Sequence, residues 1–348
     1  MKKMRNKSFF LSLIVVVLLL SGCTSMKEDG TVGENGEKVV IRMANLVSSD
    51  NFLNVGYEKF KEVAEAESDG QIEVQIYNNG TLTTSEDIEY EMLQTGVLDV
   101  VTNAAFIVAA NAQIPALNIF DVPFLFSSEE EMYTLTDGEY GDMLKSRLED
   151  KSNAYFLGTF SIGSFAIANN KKEVRTPSDL NGLKIRSTTT PLQSGTIAAM
   201  GANPTPISYG EIFTSLQQGT IDGVQTTTPL INADKFYEVS NHLTLTRHFP
   251  LPHIMMVNKV FYDGLTDELK AVVDKAAEEQ IKYARQLATE AEKSAIKNMK
   301  EKGVNIVELT PEELELFKEA VQSAIDKNID KVGIDNYEMA QEILGKSQ

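Results

Sequence analysis

Arg186 is the residue whose type and setting point most directly to chemistry. It ends the segment 174–186 (VRTPSDLNGLKIR), where a Thr-Pro turn, a short helical start at Ser178-Asp179-Leu180 and Gly182 lead into a strand carrying Lys184 and Arg186. An arginine at a strand end presents a planar fork that matches a carboxylate in bidentate fashion. Taken alone, such an arginine more often serves a surface or interlobe salt bridge. Tyr209, just ahead of a helix start, offers a ring to stack on a ligand or to pack into a core. Asn45, at the end of the first expected strand, is placed to donate to a ligand's hydroxyl or carboxylate, or else to cap the following turn. The strand end at Thr102-Asn103 and Glu89 are also counted among the candidate ligand-facing positions.

Enzymatic signatures are absent from the sequence. His242, His248 and His253, the only histidines, are spaced six and five residues apart across a Pro-containing segment, which does not match a helical metal pair. No G-x-S-x-G elbow, Rossmann glycine fingerprint or phosphate loop is present, and nothing points to a cofactor. A carboxylate pair brought together only in space leaves no mark in sequence, so a secreted lipoprotein hydrolase is the enzymatic alternative.

The N-terminus sets the compartment. Lys2, Lys3, Arg5 and Lys7 precede an apolar run over 9–20 that ends in Leu20-Ser21-Gly22-Cys23, the pattern of a secretory signal peptide with a lipobox. The run is shorter than the roughly 20 residues a membrane helix needs, so cleavage before Cys23 is expected. Cys23 is the only cysteine among 348 residues, so no internal disulfide forms and the thiol's expected use is as a lipid attachment point. An uncleaved anchor is the alternative; both place the body outside the cytoplasm. Residues 24–37, rich in Gly and acidic groups, read as a flexible tether.

Removing residues 1–22 leaves 28 Lys+Arg against 50 Asp+Glu, a mature charge of −22. That balance excludes nucleic acid as a partner, because phosphate binding requires a basic face, and an anionic ligand must be met by a specific cation. About 310 residues exceed one core, so two lobes are the default.

The elements that must position Arg186 follow an α/β rhythm. A strand over 38–46, a helix over 54–67 with Val55, Phe60 and Val63 on one face, and a strand over 71–77 closed by Asn79-Gly80 come first. Thr84 and Asp87 have capping-box spacing ahead of a helix to Leu93, closed by Gly96 and followed by a strand over 97–102. Leu93-Gln94-Thr95-Gly96-Val97-Leu98-Asp99 is echoed 123 residues later by Leu216-Gln217-Gln218-Gly219-Thr220-Ile221-Asp222, again behind a capping-box pair, Ser208 and Glu211. Each half is therefore expected to contribute a similar α/β lobe. Beyond Thr266 the chain reads helical to Lys302, about 50 Å of helix and enough to brace both lobes, and again over 311–331.

Four ordered stretches resemble the DctP-type substrate-binding proteins of TRAP (tripartite ATP-independent periplasmic) transporters: residues 121–126 (DVPFLF), 176–186 (TPSDLNGLKIR), 200–206 (MGANPTP) and 211–223 (EIFTSLQQGTIDG). The resemblance covers nearly the whole mature chain. It implies a two-lobed periplasmic-binding-protein-like α/β fold with mixed sheets, segment exchange between lobes and a long hinge-spanning helix. The expected division is residues 38–163 with about 252–291 in lobe I, and 164–251 with about 292–348 in lobe II. By motif position the carboxylate-pairing role falls on Arg186, and Asn45 and Tyr209 match pocket-lining positions. Two departures stand out. Phe165-Ala166 follow Gly163 where many members carry a second arginine, and Thr226 replaces a pocket asparagine. The pocket is thus expected to suit a monocarboxylate or a less polar acid. The partners implied are a small organic acid, the small and large TRAP membrane subunits, and the membrane itself through lipid on Cys23. A ligand-sensing lipoprotein of a signalling receptor is the alternative use of the same cleft.

Overall fold

The computed structural model describes residues 38–49 and 51–346. The expected signal segment, Cys23 and the tether lie outside the described residues. In the first half, the β-branched and apolar run Val39–Ala44 forms β1, parallel to β2 (Ile72–Tyr77) and to β3 (Val100–Ala104). Between β1 and β2 runs the helix Phe52–Glu67, started by the Asn51 side chain accepting from Leu53 N. Its buried face is Tyr57, Phe60 and Ala64; Val55 and Val63 are only half-buried, so the apolar stripe keeps Phe60 but is rotated by roughly a quarter turn from the expected one. The next helix, Glu86–Gln94, is capped by Ser85 rather than by Thr84, the Ser85 hydroxyl accepting from Ile88 N.

A single 16-residue strand, β4 (Ala154–Asn169), joins the two halves. Up to Ser164 it pairs antiparallel with β9 (Pro250–Asn258), which also flanks β3. From Phe165 onward it pairs with β7 (Gly223–Thr227), and over its last residues with β8 (His242–Leu245). The change of partner coincides with a register shift between Ser161 and Ser164, where Gly163 adopts φ 104°. A side chain there is strained, and its Cβ would lie 3.0 Å from Pro229 Cδ. On the far side, β5 (Lys184–Ser187) lies parallel to β6 (Asn203–Pro206) and to β7. A short strand that the sequence pattern did not reveal, β10 (Asn305–Glu308), pairs parallel with β8. The result is one mixed ten-stranded sheet, with order β2-β1-β3-β9-β4-β7-β5-β6 along its main path.

The internal echo has a structural counterpart. Gly96 and Gly219 close their helices at φ 73° and 71°. Asp99 then accepts from Arg42 N at 2.8 Å and donates its own N–H to Arg42 O, while Asp222 accepts from Lys184 N at 2.9 Å and donates to Lys184 O. Each aspartate therefore clamps the neighbouring parallel strand in the same way. The Ser208–Glu211 capping box does not form: a 3-10 turn, Tyr209–Glu211, precedes the helix Ile212–Gln217, and no side chain caps it.

Thr266 caps the 35-residue helix Asp267–Glu301. Leu269, Val273, Ala277 and Ile281 bury against the first half's core with Phe60 and Met43, whereas Ala295 and Met299 bury with Leu216, Val224 and Leu243 of the second. The helix Pro311–Asn328 places Phe317 and Val321 in a second-half core with Ile185 and Ile197. The final helix, Ile334–Ile343, returns to the first half, where Ala340 packs with Ile119 and Tyr140. The expected assignment of the whole stretch after 292 to the second lobe does not match this placement.

Candidate functional site

Parallel strands end their hydrogen bonding together, and in both halves their carboxyl ends face the same junction, the usual location of a ligand crevice in such sheets. Leu46 and Val47 follow β1, Ala104 ends β3, and Arg186 and Thr188 lie at the end of β5; all five line a half-open cavity of about 80 Å³. Its polar groups are Arg186, Glu86, Tyr209, Thr188 and His253, set among apolar side chains that include Phe106, Phe165 and Leu230. An adjoining space of about 130 Å³ shares Arg186, Glu86 and Tyr209. Both volumes lie below the roughly 300–1,000 Å³ of drug-sized sites, which favours a compact ligand. Two larger clefts, of about 480 and 430 Å³, adjoin the first cavity through Leu46 and Tyr209 or through Phe106, and one of about 360 Å³ does not; none of the three contains Arg186.

Arg186 is 6% exposed. Its Nε donates to Ile207 O at 2.9 Å and Nη1 to Gln225 O at 3.5 Å, and the rest of its five-donor fork has no partner among the described residues. Among the described residues no carboxylate lies within 4.0 Å of it, unlike Arg42 on Asp99 or Arg285 on Asp137. Burial pushes its pKa down to about 10, with the neighbouring Tyr209 phenol opposing the shift. A buried cation without a counter-charge is costly, and the remedy is an anion from outside.

Tyr209 donates its hydroxyl to Asp234, and its ring packs edge-on to Phe236 at 6.1 Å. Burial, then the Asp234 charge, raises that phenol well above its ordinary range. Its hydroxyl is thus committed, and what it presents to the cavity is the ring. Phe165 lines the same space, with His248 stacked at 6.0 Å and Phe249 edge-on at 5.7 Å.

Four expected ligand contacts are placed elsewhere. Asn45 spends its amide on local structure, donating to Asn54 Oδ1 at 3.1 Å and accepting from Val47 N, so it shapes the turn while Leu46 and Val47 face the cavity. Asn103 and Glu89 bond each other at 3.2 Å behind the wall; burial, with Glu86 adding, pushes the Glu89 carboxyl up to about 9. Thr226, 2% exposed, lies opposite Ala166 on β7 and does not line either space.

Three polar lining residues were not anticipated, Thr188, Glu86 and His253. Glu86, the first residue of its helix, accepts from Ala104 N at 2.8 Å, and burial together with the Asp87 charge pushes its carboxyl up to about 7. His253 on β9 is 4% exposed, has no partner for Nδ1, and is held neutral by burial, down to about 3. A helix-start acid next to a strand end is a signal that the sequence contained for Glu86; nothing comparable marked His253.

Residues 43–331 match the family of bacterial extracellular solute-binding proteins known as family 7, or DctP. The chain belongs to that family. It is 29% identical over 315 residues to the C4-dicarboxylate-binding periplasmic protein DctP of Rhodobacter capsulatus, covering 90% of this chain and 93% of the relative. Identity to the ectoine/5-hydroxyectoine-binding periplasmic protein UehA of Ruegeria pomeroyi is 33%, over 79% of this chain and 81% of that one. A TRAP periplasmic solute-binding protein from Ochrobactrum anthropi, solved with its C-terminus in the ligand-binding pocket, superposes with TM-score 0.81 at 35% identity, covering 89% and 96% of the two chains. The two-lobed α/β architecture is therefore the family's own.

In this DctP-family protein the strand under Arg186 is held by a buried polar chain. Thr246 Oγ1 meets His248 Nδ1 at 2.7 Å, His248 Nε2 meets Gln225 Oε1 at 2.9 Å, and Gln193 Nε2 donates to Asp121 Oδ1 at 2.7 Å. Asp121 belongs to the Asp-Val-Pro-Phe stretch of the first half and Gln193 to the second, so this chain also ties the halves together. Among the described residues no three His, Cys, Asp or Glu gather as a metal site, and no helix is long and apolar enough to cross a membrane.

Proposed function

We propose that this extracytoplasmic solute receptor takes up a small organic carboxylate between its lobes, with the carboxylate on Arg186, and presents it to TRAP membrane subunits. The observation that carries the reading is the Arg186 guanidinium, 6% exposed and without a carboxylate partner among the described residues, in the wall of a half-open cavity. The relatives' names support an acid and vary in its body, a C4-dicarboxylate in one and ectoine in another. Because Phe165 and the apolar residues around it occupy much of the wall, a compact monocarboxylate fits better than a polyhydroxylated acid. Residues 1–22 act as a signal peptide and Cys23 carries lipid, holding the receptor at the outer face of the cytoplasmic membrane or in a periplasm.

The halves exchange partners at Gly163 on β4, and this is the proposed hinge, about which ligand contacts from both halves favour closure. Titration calorimetry of the ligand-free protein with small acids tests the assignment. An Arg186→Ala variant should bind the same acid at least tenfold more weakly; equal affinity removes Arg186 from the site.

A further inference from the structure

We infer that Glu86 is a second anchor of this cavity and that the ligand is a zwitterion, a compact acid that also carries a protonated nitrogen. The inference rests on the carboxylate reading above and specifies its substrate class. Among the described residues the cavity wall holds one cation and one acid, contributed by different halves, and neither is paired with an opposite charge. Among the described residues no carboxylate lies within 4.0 Å of Arg186, and no Lys, Arg or His lies within that distance of Glu86. Only one Glu86 oxygen has a hydrogen-bond partner, Oε2 accepting from Ala104 N at 2.8 Å.

Charge accounting then separates ligand classes. A simple monoanion on Arg186 neutralises the guanidinium and leaves the half-buried Glu86 carboxylate uncompensated, which favours its protonation. A zwitterion neutralises both residues at once, and Glu86 then stays ionised. The groups around Glu86 bear on this balance. Its neighbour Asp87 disfavours further negative charge, Glu89 behind it is pushed up to about 9 and is neutral, and His253 across the cavity is a neutral imidazole. A hydroxy acid offers Glu86 a hydrogen bond but no compensating charge, and so meets only half of the requirement. The remaining wall, Leu46, Phe106, Phe165 and Leu230, gives an apolar body its contact.

The test compares matched acids on ligand-stripped protein. Proline, pipecolate and trimethylglycine are titrated calorimetrically alongside cyclopentanecarboxylate, cyclohexanecarboxylate and 3,3-dimethylbutanoate, and the ring hydroxy acids are run in parallel. At least one zwitterion should bind tenfold or more tightly than its plain twin. In Glu86→Gln that preference should collapse to within threefold, while the plain acid binds as well as or better than in wild type. Proton exchange, read from buffers of different ionisation enthalpy near pH 7, should show release with the zwitterion and uptake with the plain acid. Retention of the preference in Glu86→Gln, or a wild-type preference for the plain or hydroxy acid, overturns the inference and leaves the carboxylate reading standing. If no acid of any kind binds wild type, the carboxylate reading falls as well. Loss of plain-acid binding in a variant that unfolds at the wild-type temperature shows that Glu86 only positions Ala104, and also overturns the inference.

Discussion

Replacing Arg186 with methionine should leave the ligand-free protein at least as stable as wild type while removing its response to acids. A guanidinium lowered to about 10 by burial is disfavoured in its charged form by about 3 kcal/mol relative to the unfolded chain. The sign follows from linkage: a base with a depressed folded pKa loses stability as pH falls through its unfolded value, and below 10 the whole cost is present. Against this, the variant gives up the bonds to Ile207 O and Gln225 O, each worth about 1 kcal/mol net. The balance is close to zero or about 1 kcal/mol in favour of methionine, roughly 2 °C in a protein of this size. The assay is thermal unfolding after ligand has been stripped by unfolding and dialysis, with and without a saturating acid. A loss beyond about 2 kcal/mol in the ligand-free variant would refute the reasoning, because it would show that Arg186 holds the fold together.

Other expectations follow from the same geometry. Glu89, pushed up to about 9, stabilises the folded state below pH 4.5 and loses that contribution as pH rises through 9, so Glu89→Gln should flatten the fall in stability between pH 5 and 8.5 by about 1 kcal/mol per pH unit in denaturant titrations. Gly163→Ala introduces a Cβ at φ 104° against Pro229 and should cost about 1–3 kcal/mol; an unchanged melting temperature would show that the β4 switch relaxes freely. Asp99 and Asp222 make equivalent backbone clamps, but Asp99 is nearly fully buried and also binds the Arg42 guanidinium. Asp99→Ala should therefore destabilise by about 2–4 kcal/mol and Asp222→Ala by about 1, and equal effects would contradict this ordering.

What the sequence revealed and what it hid divide along physical lines. Period and punctuation located β1, β2, the long helix capped by Thr266, and the Gly96 and Gly219 closures, because these depend on residues adjacent in the chain. The same local signals misplaced the helix 52–67 stripe, where Tyr57 and Ala64 are buried in a core shared with the long helix and the strands, which period alone does not orient. β10 is four residues whose partner β8 lies more than 60 positions away, and four residues carry too little pattern to register. Of the cavity-lining residues, Arg186, Tyr209 and Phe165 were singled out from their motifs. Asn45, Asn103 and Glu89 satisfy one another or their neighbours instead of facing the cavity, a choice that depends on side-chain direction at strand ends. Glu86 and His253 reach the cavity only because two halves of the chain are brought together there.

The most direct test of the central claim is a comparison of each candidate acid with its own primary amide, read as the shift in melting temperature of the ligand-stripped protein. A ligand at 100 times its dissociation constant stabilises by about 2.7 kcal/mol, several degrees here. The account predicts that at least one compact acid gives that shift and its amide gives none, since only the carboxylate neutralises Arg186. Equal shifts from acid and amide would show that the cavity does not select for charge, and would contradict the assignment of Arg186 as the carboxylate anchor.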